Sequence, residues 1–142
     1  RERAGHIKLS VRKAAVAGKR VVLVDDSIVR GTTTTQITHM LREAGATEVH
    51  IRISSPPFIN PCYFGTDIDS KDKLIACRMS LEEIRKTLDA DSLGYLSLEH
   101  LQQIAQVTTG CGFCMGCFTG EYPIEVPEET PCDKFSQKLC NN

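Results

Sequence analysis

Length, composition and charge place the chain among ordinary globular proteins. It has 142 residues, of which 41% are hydrophobic and 25% charged, and this excludes a disordered tail, a collagen-like fibre and a coiled-coil rod. The formal net charge is -1, so no overall basic field exists to hold a nucleic-acid backbone. The longest apolar run, Val21 to Val24, is far shorter than a membrane span, and no signal-peptide pattern opens the chain. We expect a cytoplasmic protein that binds neither nucleic acid nor membrane.

The start of the chain has no regular pattern. Residue 1 is Arg1 rather than Met, and residues 1–19 are basic and rich in Gly and Ala. Because these residues repeat with neither a strand period nor a helix period, we predict a loop with at most one helical turn. We interpret the sequence as a piece of a longer protein.

Residues 20–53 predict a βαβ unit. Arg20 to Val24 is a β-branched apolar run, which predicts a strand buried on both faces. Apolar residues then recur at the spacing of one helix face, at Ile37, Met40, Leu41 and Ala44, before Gly45. Glu48 to Ile53 alternates as a second strand. This order predicts an α/β fold with a parallel sheet.

Shorter elements are expected further along the chain. Residues 54–65 indicate a loop, and Ser80 with Glu83 forms a capping-box pattern at the start of a short helix. Tyr95 and Leu96 predict a short extended segment, and Ser97 can cap a helix that runs to Ala105. From Thr108 onward Gly, Pro and Cys dominate, and residues 134–142 are expected to be a frayed tail.

The most informative motif joins an acidic pair to a glycine-threonine segment. Asp25 and Asp26 follow the first strand, at the edge where parallel sheets bind ligands. Sugar hydroxyls or a divalent cation would offset the repulsion between these carboxylates. Gly31 and the threonines Thr32 to Thr35 then open a helix, whose free N–H groups favour an anion. Each piece alone fits a simple turn or helix start, but the two together favour a sugar-phosphate site.

The stretch from Val21 to Thr33 resembles the phosphoribosyl pyrophosphate (PRPP) motif of type I phosphoribosyltransferases. Its Asp25 to Gly31 portion is similar to the amidophosphoribosyltransferase family, and the likeness continues almost to Pro123. The resemblance implies a partial type I phosphoribosyltransferase fold followed by a Cys-rich C-terminal extension. It also implies the first step of de novo purine synthesis, in which PRPP, glutamine and water yield 5-phosphoribosylamine, glutamate and pyrophosphate.

The resemblance also assigns site residues. Asp25 and Asp26 fall where the family binds the ribose hydroxyls of PRPP and Mg²⁺, and Lys8 falls on a flexible loop that closes over the pyrophosphate. These three residues would serve catalysis. The substrate-binding residues that the resemblance implies are Asp25, Asp26, Ser27, Ile28, Val29, Arg30, Gly31, Thr32 and Thr33.

The cysteines suggest a metal centre. In a cytosolic protein, the spacing of Cys111, Cys114 and Cys117 favours metal or redox chemistry over disulfides. Three such thiols suit zinc as well as iron–sulfur chemistry, and Cys62 could supply a further ligand. The resemblance implies a [4Fe–4S] cluster on Cys62, Cys114 and Cys117, with a fourth ligand upstream of this sequence. Cys111 is then a neighbour, and we interpret Cys77, Cys132 and Cys140 as incidental thiols.

The same resemblance divides the chain into three regions. Residues 1–19 would be the flexible active-site loop, 20–106 the C-terminal part of the phosphoribosyltransferase domain, and 107–142 the Cys-rich segment and tail. Nothing in this sequence matches the glutaminase domain that supplies ammonia in the family, so we expect no glutamine-dependent activity from this polypeptide alone, and a homo-oligomer for the full enzyme. Two alternatives remain: a free-standing regulatory module that binds PRPP or a nucleotide phosphate, and a zinc-ribbon interaction domain.

Overall fold

A computed structural model describes residues 11–68, 70–109 and 112–126 of the chain. The elements alternate between strands and helices along most of this length. In chain order they are α1 (Lys13–Val16), β1 (Arg20–Asp25), α2 (Thr32–Glu43), β2 (Glu48–Ile53), a 3₁₀ turn (Lys71–Lys73), α3 (Ile75–Arg78), α4 (Leu81–Thr87), β3 (Ser92–Tyr95), α5 (Leu98–Thr109) and α6 (Gly116–Thr119).

The three strands form a parallel sheet in the order β1-β2-β3. Asp25 is in register with Ile53, and Ile53 with Tyr95, so the carboxyl ends of all three strands meet at one edge. The predicted α/β class is therefore confirmed, as are the helix after Gly31 and the second strand. Within the described ranges, no helix is long and apolar enough to cross a membrane.

One face of the sheet carries the larger hydrophobic core. Val49, Ile51 and Ile53 of β2 are 0 to 3% exposed, because they lie beneath apolar side chains from α2, α3 and α4. The buried members of this cluster are Ile28, Leu41, Ala46, Val49, Ile51, Ile53, Ile75, Ile84, Leu88 and Ala90. The alternation predicted for β2 thus places every second residue in the core.

The prediction that β1 is buried on both faces is wrong. Val21 and Leu23 pack against the larger core, but Val22 and Val24 are 60% and 69% exposed. Strand β1 pairs only with β2 in the sheet as described, and the core that α2 and α4 complete lies on the opposite face. The apolar run therefore identifies a strand but does not report how many of its faces are covered.

Local signals fix several helix ends. The Ser80 side chain accepts a hydrogen bond from the Glu83 N–H, and the Glu83 carboxylate accepts one from the Ser80 N–H, so the predicted capping box is present. The Ser97 hydroxyl accepts a hydrogen bond from the His100 N–H, and α5 follows it as predicted. Helix α1 is a single turn, which agrees with the expectation for residues 11–19; Lys8 lies outside the described residues.

A second, smaller cluster lies beside the first. Its buried members are Phe58, Ile68 and Leu74, and the partly buried side chains packed against it are Val29, Cys62, Cys117 and Phe118. Chain neighbours are divided between the two clusters: Ile28 belongs to the larger one and Val29 to the smaller. The loop after β1 therefore runs along the boundary between them.

Candidate active site and thiol centre

The acidic pair lies at the carboxyl edge of the sheet. Asp25 is the last residue of β1, and its backbone carbonyl accepts a hydrogen bond of 3.0 Å from the Ser54 N–H just beyond β2. One oxygen of the Asp25 carboxylate accepts the Asp26 N–H at 2.9 Å, and one oxygen of the Asp26 carboxylate accepts the Ser27 hydroxyl at 2.8 Å. These local bonds hold both carboxylates at the mouth of the sheet, where the sequence places them.

The segment after the acidic pair is anchored by its apolar residues. Ile28 is 2% exposed, and the Val29 carbonyl accepts the Ile75 N–H at 2.9 Å. Arg30, Thr32 and Thr33 are exposed. Any contact from residues 28 and 29 to a ligand would therefore come from their backbone, while the polar side chains remain available.

Gly31 lies between this loop and the first residue of α2. Its φ of +81° lies in the left-handed region, and a Cβ at this position would lie 2.8 Å from the Ile75 Cδ1. The positive φ favours glycine, and a Cβ would force the terminal methyl of Ile75 to shift. The Thr35 N–H bonds to the Gly31 carbonyl, so the N–H groups of residues 32–34 have no partner within the helix itself. Together with the helix dipole they favour an anion at this end of α2.

Two hydroxyls to which the sequence assigns no functional role lie near the same edge. The Ser55 Oγ and the Tyr95 Oη are buried and have no hydrogen-bond partner within the described part of the chain. Burial also raises the pKa of Tyr95. Each residue lies at or just after the end of a strand, and this position is the sequence feature that could have marked it as a candidate site residue.

Cys62 lies in the loop that follows β2, and its sulfur accepts backbone hydrogen bonds. Burial by itself would raise the pKa of Cys62, but the N–H groups of Gly65, Phe64 and Thr66 outweigh it and lower the pKa to about 7. The Thr66 nitrogen lies 3.3 Å from the sulfur. The loop therefore stabilises a thiolate, which is the form that binds metals.

Cys117 lies in the single turn of α6, and the segment around it, residues 112–120, is here called the Cys117 loop. This segment contacts the loop that carries Cys62. The Cys117 backbone carbonyl accepts the N–H groups of Ile59 and Asn60, both at 3.0 Å. Burial, together with negative charge on Cys62 and Cys114, raises the pKa of Cys117 to about 11. The structure thus brings Cys62 near Cys114 and Cys117, which lie about 50 residues further along the chain.

The thiols are not preassembled as a metal site. Across residues 11–68, 70–109 and 112–126, no group of three or more His, Cys, Asp or Glu side chains converges closely enough to hold a metal ion. Cys77 donates its S–H to the Ile59 carbonyl at 3.3 Å. Cys111, Cys132 and Cys140 lie outside the described residues.

Tyr122 packs against the loop that carries Cys62, and the sequence alone predicts no role for it. Its hydroxyl donates a 2.7 Å hydrogen bond to the Pro61 carbonyl. The rings of Tyr63 and Phe64 lie 5.1 and 6.3 Å from its ring, centroid to centroid. Burial, together with nearby Tyr63 and the thiols, raises the pKa of Tyr122 to about 12. An aromatic residue shortly after a run of cysteines was the only local sign of such a contact.

The sheet, its acidic edge and the loop into α2 define a protein with part of a phosphoribosyltransferase fold. No protein-family model matches the sequence. The chain is 52% identical over 133 residues to the amidophosphoribosyltransferase of Bacillus subtilis (strain 168), covering 92% of this chain and 28% of that protein. It is 51% identical over 134 residues to the amidophosphoribosyltransferase of Archaeoglobus fulgidus, covering 93% and 29%.

Solved structures agree with these sequence matches. A structure of the allosteric regulatory enzyme of purine biosynthesis matches with a TM-score of 0.76 and 52% identity, over 85% of this chain and 27% of that one. Glutamine PRPP amidotransferase from B. subtilis, in complex with ADP and GMP, matches with a TM-score of 0.76 and 47% identity, over 92% and 30%. The chain is a homologue of the amidophosphoribosyltransferases, as the sequence resemblance predicts, and spans less than a third of the length of these relatives.

Proposed function

We propose that this chain is the C-terminal, PRPP-binding part of an amidophosphoribosyltransferase. The whole enzyme would convert PRPP, glutamine and water to 5-phosphoribosylamine, glutamate and pyrophosphate in purine synthesis. The observation that supports this most directly is the position of Asp25 and Asp26 beside the Gly31 loop, in a chain about half identical to enzymes of that name. The glutaminase domain that releases ammonia and the subunits of a homo-oligomer would be its partners.

Each half of the candidate site would bind one end of PRPP. The Asp25 and Asp26 carboxylates are suitable acceptors for the ribose hydroxyls and suitable oxygen ligands for Mg²⁺, which usually retains water and takes one or two protein carboxylates. The N–H groups and hydroxyls of residues 31–33 would bind the 5′-phosphate at the start of α2. When bound, Mg²⁺ would neutralise charge on the departing pyrophosphate.

In the reaction, positive charge would develop on the ribose as ammonia attacks the anomeric carbon of PRPP. The ribose becomes oxocarbenium-like while pyrophosphate leaves, so groups already oriented toward both ends stabilise the transition state. Lys8, outside the described residues, would contact the pyrophosphate from a loop that closes over the site and excludes water.

We further propose that Cys62, Cys114 and Cys117 hold a structural [4Fe–4S] cluster, with a fourth ligand from outside this sequence. The thiolate character of Cys62 and the N–H groups on its sulfur support this assignment, because cluster sulfurs accept such bonds. The same three thiols suit zinc, the second candidate. Anaerobically purified protein with a broad visible absorption band would favour the cluster, whereas colourless protein containing zinc would favour the alternative.

Binding of PRPP in the presence of Mg²⁺, measured by calorimetry on the 142-residue chain, tests the main proposal. Replacing both acids, Asp25→Asn with Asp26→Asn, should weaken binding at least about tenfold, because charge-assisted hydrogen bonds contribute about 1.5–3 kcal/mol each. Asp89→Asn is the matched control: Asp89 pairs with Arg42 instead, and its φ of +52° is one that asparagine tolerates. Equal affinities for the double variant and the unchanged chain would contradict the proposal.

A further inference from the structure

The two loops that carry the thiols share one tyrosine. The Tyr122 hydroxyl bonds to the Pro61 carbonyl, immediately before Cys62 in the chain. Its ring lies against the Cα of Gly116, immediately before Cys117, so closely that a Cβ at position 116 would overlap the ring atoms Cδ1 and Cε1. Tyr122 therefore contacts the residue next to each of two cysteines that are widely separated in the sequence.

Other contacts keep the tyrosine in place. The Tyr63 ring meets the Tyr122 ring edge-on, with an angle of 81° between the ring planes, and the Phe64 ring lies at 56° to it. These rings belong to the Cys62 loop, so the tyrosine is held by packing as well as by its hydrogen bond. The Cys117 carbonyl, which accepts the Ile59 and Asn60 N–H groups, provides a separate backbone connection between the loops.

We propose that Tyr122 is a positioning residue that holds the Cys62 and Cys117 sulfurs close enough for both to bind one centre. The proposal rests on the thiol centre described above, but it concerns the spacing of the two sulfurs and applies equally to the metal-free chain. The hydroxyl sets the position of the Cys62 loop, and the ring sets that of the Cys117 loop. Since short loops with few buried side chains open readily, losing either contact should separate the sulfurs in solution.

A trivalent arsenical measures this spacing, because phenylarsine oxide forms two As–S bonds and releases one water only when two thiols are close together. The test uses the full chain with Cys77, Cys111, Cys114, Cys132 and Cys140 replaced by Ser, so that Cys62 and Cys117 are its only thiols. Tyr122→Phe should weaken arsenical binding about fivefold, in proportion to one lost hydrogen bond of about 1 kcal/mol. Gly116→Ala, which displaces the same ring, should weaken it further.

Tyr63→Phe is the matched control, since it keeps the ring that touches Tyr122, and its affinity should stay within about twofold of the parent. The midpoint of urea unfolding is recorded for every variant. A merely structural role would lower the midpoint without changing the affinity of the folded chain. An affinity for Tyr122→Phe equal to that of the parent overturns the proposal, as does a parent that does not bind the arsenical through both thiols.

Iron reconstitution of the chain with its natural cysteines separates this inference from the proposed centre. If the parent binds the arsenical and Tyr122→Phe weakens it, the positioning role stands even when no iron is taken up, and only the cluster assignment fails. If iron is incorporated while Tyr122→Phe binds the arsenical as tightly as the parent, the cluster assignment stands and the positioning role is wrong.

Discussion

Replacing Gly31 by alanine should destabilise the chain through two separable effects. The φ of +81° costs a residue with a Cβ about 1–2 kcal/mol. The new Cβ would also lie 2.8 Å from the Ile75 Cδ1, inside a packed core where crowding costs about 1–3 kcal/mol. We therefore expect Gly31→Ala to lower the free energy of unfolding by about 2–5 kcal/mol, and to weaken PRPP binding because the loop must move.

Two other glycines provide matched controls. Gly18 has a φ of +72° with nothing within 4 Å of its missing Cβ, so Gly18→Ala should show the backbone cost alone, about 1–2 kcal/mol. Gly65 lies in open space without a positive φ, and Gly65→Ala should be neutral or stabilising by about 0.4–1 kcal/mol. Ile75→Val removes the Cδ1 itself, so the double variant with Gly31→Ala should recover most of the crowding term.

Urea denaturation followed by circular dichroism gives the free energy of unfolding of the unchanged chain and of each variant. The crowding argument fails if Gly31→Ala costs no more than Gly18→Ala. It also fails if the free-energy costs of Gly31→Ala and Ile75→Val simply add in the double variant. If the two side chains clash, shortening Ile75 must relieve part of the cost of Gly31→Ala.

Two further predictions concern residues outside the candidate site, Asp91 and Ser80. The Asp91 carboxylate accepts the Val49 N–H and pairs with Arg42, which lowers the pKa of Asp91 below its ordinary 3.8. The stabilisation by Asp91 is therefore complete at neutral pH and is lost as the pH falls through the lowered pKa. Asp91→Asn should lower the free energy of unfolding by about 1–2 kcal/mol at pH 7. In urea denaturation at a series of pH values, the free energy of unfolding of this variant should fall less steeply toward acid pH than that of the unchanged chain. Ser80→Ala removes the cap of α4 and should cost about 1 kcal/mol in thermal unfolding, while an unchanged midpoint would contradict the cap assignment.

Local patterns were enough to predict the elements that place the acidic pair. The alternation of Glu48 to Ile53 predicts β2 at the bounds that the structure shows, and the helix after Gly31 ends where Gly45 adopts a positive φ. The capping box at Ser80 likewise depends on residues three apart in the chain. In each case the physical cause acts within a few residues, so the sequence alone reports it.

What could not be predicted depends on contacts between distant segments. Helices α3 and α6 are single turns of four residues and have no period to detect. The exposure of Val22 follows from which face of the sheet is covered, and no pattern within β1 contains that information. The contacts of Tyr122 with Pro61 and Gly116 arise only when two loops fold together.

The loop after β1 links the stability of the thiol region to the candidate phosphate-binding region. Ile28 and Val29 are joined by one peptide bond yet pack into different clusters, and the smaller cluster also contains Cys62 and Cys117. Loosening the cysteine loops would remove one of the two supports of the segment that leads to Gly31. If the proposed function holds, oxidation of the sulfurs would thus weaken PRPP binding indirectly, without altering Asp25 or Asp26.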